Sequence, residues 1–96
     1  MEREQGREEY CKEIFGKRYE EYIFLLRKID ECCNRGESSG RQKLLEVCKQ
    51  QEIFLTEQEI RGMLKKLEDL GFIEVYKGRR GNKISNKGRE FLEKLD

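Results

Sequence analysis

The chain has 96 residues, of which 35% are hydrophobic and 43% are charged, and its formal net charge is +1. This size predicts one small domain, and no apolar run approaches the length of a membrane span. The polar N-terminus does not resemble a secretory signal peptide, so we expect a cytoplasmic protein.

The charges are distributed unevenly along the chain. Residues 1–40 carry eight basic and ten acidic side chains, whereas residues 41–96 carry thirteen and ten. Between Lys77 and Arg89 there are six basic residues and no acidic one. A local excess of positive charge attracts polyanions, so this segment is a candidate binding region.

The chain contains four cysteines, which we expect to be reduced thiols: Cys11, Cys32, Cys33 and Cys48. Histidine and CxxC pairs are missing from the sequence, so it lacks the usual ligand spacing of zinc, and we expect no metal and no cofactor. The adjacent Cys32 and Cys33 either fill core space as small hydrophobes, which is the ordinary case, or sense a metal or an oxidant.

The first element in chain order is a long amphipathic helix, predicted over about residues 8–34. Its apolar stripe repeats at spacings of three and four, in the order Phe15, Tyr19, Tyr22, Leu26, Ile29 and Cys33. Gly16 is the weak point of this pattern, and Gly36 predicts the end of the helix. Ile14, Ile23 and Leu25 widen the stripe, so the helix either covers the core of its own chain or also contacts a second subunit, as in a homodimer. We therefore divide the chain into residues 1–36, a candidate dimerisation element, and residues 37–96.

Two shorter helices and a hairpin follow. Ser39 with Gln42, and Thr56 with Glu59, each fit a capping box, which predicts a helix start at both places. Gly71 predicts the end of the second of these helices, and residues 72–77 then alternate as a β-strand does. A turn at 78–82, a strand at 83–85 and a helix at 86–95 complete the order helix, helix, turn, helix, hairpin, helix. The predicted fold is mainly α with a small β-hairpin.

The helix that begins after the second capping box is a candidate for reading DNA. A helix, a short turn and a second helix are the arrangement that places the second helix in the major groove. Steps of 100° put Gln58, Gly62 and Lys65 opposite the core, flanked by Arg61 and Lys66. Such polar and basic side chains bind base edges or phosphates, and Gly62 would allow close approach at about 1 kcal/mol in helix propensity. The alternative is the ordinary polar face of a solvated helix.

The hairpin favours nucleic acid over that alternative. Its tip carries three basic residues and an asparagine, and the segment contains no acidic residue: Arg79, Arg80, Asn82 and Lys83. Such a tip suits a phosphate backbone or a minor groove, whereas a merely solubilising turn usually mixes both signs. Ser39 and Arg41 open the preceding helix, where a helix start with an arginine suits a phosphate, although a simple cap explains Ser39 equally well.

Two patterns in this half of the chain carry a resemblance to a known family. The pattern R..L..Le..G.i is filled by Arg61, Leu64, Leu67, Glu68, Gly71 and Ile73, and the pattern lT.kG..fl is matched by Ser85, Lys87, Gly88, Phe91 and Leu92. With the upstream GRQKLLEV, residues 38–95 resemble the core of bacterial and archaeal winged helix-turn-helix transcriptional regulators. The resemblance implies a winged helix-turn-helix fold and, by the habit of the family, sequence-specific binding of double-stranded DNA.

Three acidic residues depart from the pattern expected of that family. Glu52 stands where such turns often have glycine, and Glu57 and Glu59 lie at the front of the recognition helix, where phosphate would approach. Glu59 is accounted for by its cap. The leading hypothesis is therefore a DNA-binding transcriptional regulator, or the DNA-binding domain of one, and the alternative is a winged-helix protein-interaction module in a larger assembly. We expect no enzymatic activity, because the chain lacks a nucleophile with an evident base and a phosphate-binding glycine loop.

Overall fold

The computed structural model of the chain describes residues 2–37, 39–76 and 81–95, with side chains from residue 9 onward. The elements in chain order are α1 (Glu2–Phe15), a 3-10 helix (Gly16–Arg18), α2 (Tyr19–Asn34), α3 (Arg41–Gln50), α4 (Glu57–Asp69), β1 (Ile73–Val75), β2 (Asn82–Ile84) and α5 (Asn86–Leu95). The predicted winged helix-turn-helix, mainly α with a two-stranded hairpin, is confirmed.

The long N-terminal helix is divided in two, so the prediction of one helix over residues 8–34 needs correction. Gly16 has a left-handed backbone, with φ of +74°, and the chain passes through a 3-10 helix before α2 begins. A left-handed residue cannot continue an α-helix, and glycine adopts this conformation without steric cost. The turn brings Phe15 back onto α2, where its ring stacks on that of Tyr22 with the centroids 4.6 Å apart.

The apolar stripe of α2 is buried inside the chain. Leu25, Leu26 and Ile29 are fully buried, in the same core as Leu44 of α3 and Ile60 of α4. Burial of this stripe on the chain's own helices favours the intramolecular alternative for α2. A homodimer through the N-terminal helix stays a prediction, as does the division of the chain at residue 36.

The two helix starts differ from each other. At α4 the predicted capping box is confirmed: the Glu59 amide donates to Thr56 Oγ1 at 3.0 Å, and the Thr56 amide donates to Glu59 Oε1 at 3.1 Å. At α3 the predicted box of Ser39 and Gln42 is wrong, because Gly40 is the capping residue and no side chain bonds to the amides there. Ser39 lies one position further upstream and is buried.

The hairpin is short and packs on α2 and α5. β1 and β2 are antiparallel, with Ile73 opposite Ile84 and Val75 opposite Asn82. The first strand is shorter than the predicted 72–77, and the second begins and ends one residue before the predicted 83–85. Ile73 and Ile84 are buried, whereas Val75, nearer the turn, is 46% exposed. Among the described residues, none of the helices has the length and apolar character needed to cross a bilayer.

The last helix approaches the hairpin closely. A Cβ built on Gly88 would lie 2.2 Å from the carbonyl oxygen of Phe72, so only glycine fits at this position of α5. The Ser85 hydroxyl donates to Gly71 O at 2.6 Å and accepts from the Gly88 amide at 3.0 Å. The glycine and serine of the closing pattern thus fix α5 against the end of α4.

Candidate nucleic-acid interface

A cleft of about 780 Å³ lies between the start of α3, one face of α4 and the hairpin, and we call it the α3–α4 cleft. Its lining residues are Gly40, Arg41, Gln42, Lys43, Glu57, Arg61, Leu64, Lys65, Glu68, Val75, Tyr76, Gly81 and Asn82. Four of these side chains are basic and two are acidic, so the described lining carries a net charge of +2. The cleft is therefore a positively charged concave surface beside the exposed face of α4.

The exposed face of α4 carries most of the predicted base-reading residues. Gln58, Arg61, Gly62 and Lys65 are all exposed, and Arg61 and Lys65 also line the α3–α4 cleft. Gln58 and Gly62 lie further round the helix, on the surface turned away from the core. The predicted face is thus continuous with the cleft.

Lys66 lies on a different side of α4. Its ammonium stands 5.9 Å from the ring centroid of Tyr22 on α2, and Lys66 does not line the cleft. A cation over an aromatic face is held by the ring quadrupole. The structure therefore separates Lys66 from Arg61 and Lys65.

Glu59, one of the two acidic residues in the first turn of α4, lies on the same side of the helix as Lys66. The Arg18 guanidinium donates a hydrogen bond to the Glu59 carboxylate and, together with the bonds to Thr56, holds the pKa of that carboxyl below its usual value. Glu59 is thus occupied by its cap and by the 3-10 segment. It faces the N-terminal helices and does not line the cleft.

Glu57, by contrast, lies in the cleft. Its carboxylate is 3.7 Å from the Arg41 guanidinium, which joins the first residue of α4 to the first residue of α3. Both side chains are substantially exposed, so the pair is weak and exchangeable. Arg41, which is predicted to bind a phosphate, therefore lines the cleft and is paired with an acidic residue there.

Ser39 and Asn82 form a buried latch between the start of α3 and β2. The Ser39 hydroxyl donates to the Asn82 carbonyl at 2.9 Å, and the Asn82 side-chain amide donates to the Ser39 carbonyl at 2.7 Å. Ser39 is fully buried and Asn82 is 6% exposed. Both were predicted to contact DNA, and the structure places their polar groups against each other instead. They position the hairpin relative to α3.

Lys83 is the remaining predicted hairpin residue that the structure describes, and it does not line the cleft. Lys83 is exposed and lines a smaller cavity of about 270 Å³ on another side of β2, together with Cys33 and Glu37. Arg79 and Arg80 lie outside the described residues, in the segment that connects the paired strands. Their predicted contact with phosphate stays a prediction.

The cysteines provide no metal site in the described part of the chain. Cys11, Cys32 and Cys48 are buried, burial raises the pKa of the Cys11 and Cys48 thiols, and no cluster of three or more metal-binding side chains occurs among the described residues. Cys33 accepts a hydrogen bond from the Ile84 amide, with 3.4 Å from nitrogen to sulfur. Core filling therefore accounts for the three buried cysteines.

Sequence reasoning missed several residues of the cleft. Leu64, Glu68, Val75 and Tyr76 line it, although the sequence singles out Leu64 and Glu68 only as parts of the family pattern. The spacing of four from Glu57 through Arg61 to Lys65, and from Leu64 to Glu68, places these residues along one side of α4 and was available in the sequence. Tyr76 could not have been placed, because its position depends on where β1 ends.

Comparison with known proteins identifies one similar sequence. Over 75 residues the chain is 33% identical to YplP of Bacillus subtilis (strain 168), which is named "Putative sigma L-dependent transcriptional regulator". The match covers 78% of this chain and 23% of that protein, so the chain spans about a quarter of the length of its relative. No protein-family model matches the chain, and no solved structure matches it.

Proposed function

We propose that the chain binds double-stranded DNA, as a transcriptional regulator or as the DNA-binding part of one. The observation that carries this proposal is the α3–α4 cleft, where Arg41, Arg61 and Lys65 come together beside the exposed face of α4. In this arrangement α4 enters the major groove and the basic turn of the hairpin lies on the backbone or in the minor groove.

Electrostatics supports this assignment. To the net charge of +2 in the described lining, the sequence adds Lys77, Arg79 and Arg80 between the strands, without an acidic residue. A concave surface with an excess of one charge raises the local concentration of the oppositely charged partner. A duplex carries about one negative charge per 1.7 Å of its axis and is therefore a fitting polyanion.

The residues of the face have distinct proposed roles. Gln58 and Arg61 are suited to base edges, since glutamine pairs with adenine and arginine with guanine through two hydrogen bonds each. Lys65 reaches a base edge or a phosphate. Arg41 binds a phosphate once that phosphate displaces the Glu57 carboxylate, which costs little because the pair is exposed.

The similarity to YplP supports a regulatory role. The name of that relative concerns a protein more than four times as long as the matched segment, so the activity of the whole regulator is not carried over with it. We propose only that this chain supplies, or is, a domain that brings such a regulator to DNA.

The test is the salt dependence of binding to a fluorescently labelled random-sequence duplex, measured by anisotropy. Arg61→Ala with Lys65→Ala should weaken binding, and Arg79→Ala with Arg80→Ala should weaken it for all sequences. The slope of log K against log salt is negative, and each lost phosphate contact reduces its magnitude by about 0.9. The double substitution of Arg79 and Arg80 should therefore reduce that magnitude by up to about 1.8.

A matched control has the same net charge as the two test variants, because it also loses two positive charges. Lys49→Ala with Lys94→Ala removes two exposed cations that do not line the cleft, and this pair should leave affinity nearly unchanged. Equal losses in the cleft and control variants would mean that only overall charge matters, and the cleft would not be the binding surface. An unchanged slope in the arginine pair would remove the turn from the mechanism.

A protein-interaction module is the alternative, and two observations favour it. Glu57 and Glu68 line the cleft, and Phe54, in the turn before α4, is 77% exposed. An exposed aromatic ring suits a protein partner, because aromatic side chains are enriched at protein interfaces. This alternative predicts no salt-sensitive affinity for duplex DNA of any sequence at modest ionic strength.

A further inference from the structure

Gly62 lies in the interior of α4, yet nothing in the described part of the chain requires glycine there. It is the sixth residue of a helix of 13 residues and is exposed, and a Cβ built on it meets no atom within 4 Å. Glycine is less favourable than alanine in a helix interior, because it loses more conformational freedom on folding. The chain therefore gives up helix stability at this position without a gain in its own packing.

The other glycines that the structure describes from residue 9 onward each have a reason within the fold. Left-handed backbone conformations account for Gly16, Gly36, Gly71 and Gly81, the approach of Phe72 O for Gly88, and the capping position of α3 for Gly40. Among the residues whose side chains the structure describes, Gly62 is the one glycine that has neither a special conformation, nor a close contact, nor a cap to explain it. The described fold therefore gives no reason for Gly62, and we look for one in a binding partner.

The surroundings of Gly62 indicate what lies outside. Gln58 is one turn before it and Lys65 almost one turn after it, both exposed, and Arg61 adjoins it on the side of the cleft. Side chains with hydrogen-bond donors thus lie before and after a bare stretch of helix backbone, and the Lys65 ammonium is also 3.9 Å from the exposed Asp69 carboxylate. A surface that presents many acceptors and approaches a helix from outside is the floor of the major groove, with the N7 and O6 atoms of purines.

We infer that Gly62 is the point of closest approach between α4 and the base pairs, and that the missing side chain lets the helix sit deep enough for its neighbours to reach base edges. This inference rests on the proposed function, since it specifies how α4 contacts the duplex. It separates two modes of binding. If the hairpin turn and Arg41 alone held the backbone, α4 would stand away from the bases, and a side chain at position 62 would be tolerated.

The test combines stability with affinity in Gly62→Ala and Gly62→Leu. Both variants should fold, because no atom obstructs the new side chain, and Gly62→Ala should raise Tm by about 4 °C or more. The duplex probe is one that the wild-type protein enriches from a random-sequence pool. Affinity for it should fall in Gly62→Ala and fall at least about tenfold in Gly62→Leu, as for the loss of one good base contact.

A matched substitution and three outcomes decide the question. Gln50→Leu places the same side chain on the exposed surface of α3, outside the cleft, and should leave affinity unchanged. Wild-type affinity in a folded Gly62→Leu variant would overturn the inference and leave the proposed function intact. Absence of salt-sensitive duplex binding by the wild-type protein would remove both. Weaker binding by a more stable Gly62→Ala variant would support the inference, since misfolding could not explain it.

Discussion

Glu52 has a left-handed backbone conformation, with φ of +59°, and it is the residue that follows the last turn of α3. The Glu52 amide donates to the Lys49 carbonyl at 3.0 Å and the Ile53 amide donates to the Cys48 carbonyl at 2.8 Å. These two bonds form a Schellman motif, in which the left-handed position favours glycine. The ends of α2 and α4 have the same pattern of bonds, with glycine at the left-handed position, at Gly36 and Gly71. The backbone of Glu52 is therefore strained, because a residue with a side chain occupies a position where α2 and α4 have glycine.

We expect Glu52→Gly to stabilise the protein by about 1 kcal/mol, because relief of the left-handed strain exceeds the extra entropy of glycine in the unfolded chain. The measurement is thermal unfolding, in which Tm should rise by about 4–8 °C. Glu46→Gly provides the control, since Glu46 is exposed within regular α3 and its replacement should destabilise by about 1 kcal/mol. Shifts of the same sign in both variants would contradict strain at Glu52.

At the scale of elements, the latch of Ser39 and Asn82 determines how the hairpin sits against the helix-turn-helix. The Asn82 side chain bonds to the Ser39 carbonyl, and a Cβ built on Gly81 would lie 3.0 Å from the same carbonyl group. The start of α3 and the start of β2 therefore contact each other through backbone groups. The latch holds one side of the α3–α4 cleft at a fixed distance from the other.

Asn82→Ala should destabilise the protein by about 0.5–1.5 kcal/mol, because it removes the shorter of two hydrogen bonds that the buried Ser39 carbonyl accepts, and the bond from the Asn82 backbone amide at 3.3 Å stays. Asn34→Ala is the matched control, since Asn34 is exposed at the end of α2 and its replacement should change stability by less than about 0.5 kcal/mol. Urea unfolding of the two variants gives both numbers. Equal stability of the two would mean that solvent replaces the latch at no cost.

The elements were largely predictable because each has a local signal. The capping box at Thr56 and the glycines at 36 and 71 lie where the structure starts or ends a helix. The division at Gly16 was signalled only as a weak point, since a single glycine within an apolar stripe is tolerated in many helices. Ser39 fitted a cap by its spacing to Gln42, and only the position of β2 reveals that its hydroxyl is used elsewhere.

The site was less predictable than the fold because it depends on contacts distant in sequence. Helical steps correctly placed Gln58, Arg61 and Lys65 on an exposed face. The pairing of Arg41 with Glu57, however, joins the starts of two helices and follows from their packing. No periodicity along one helix contains that information.

At the scale of the whole molecule, residues on both sides of position 36 build one core. Leu25 and Ile29 of α2 are fully buried in the same cluster as Leu44, Ile60 and Leu67. The N-terminal segment therefore supports the helix-turn-helix directly, even if it also serves as a dimer contact. The predicted homodimer is tested by measuring the molar mass of the protein in solution over a range of concentrations, and the mass should fall on dilution as the dimer dissociates.

Phe15 joins the first helix to aromatic residues from the far end of the chain. Its ring stacks on Tyr22 and meets the rings of Phe72 and Phe91 edge-on, at centroid distances of 6.2 and 5.8 Å. Phe15→Ala should therefore cost about 3–5 kcal/mol. Tyr10→Ala should cost less, because Tyr10 is 50% exposed and its ring lies 6.0 Å from that of Phe91. Since Phe72 and Phe91 belong to the far end of the chain, the loss at Phe15 should lower the stability of the entire molecule. We expect one cooperative transition with the same midpoint by far-ultraviolet circular dichroism and by tyrosine fluorescence, and two separated midpoints would show that the N-terminal helices unfold independently.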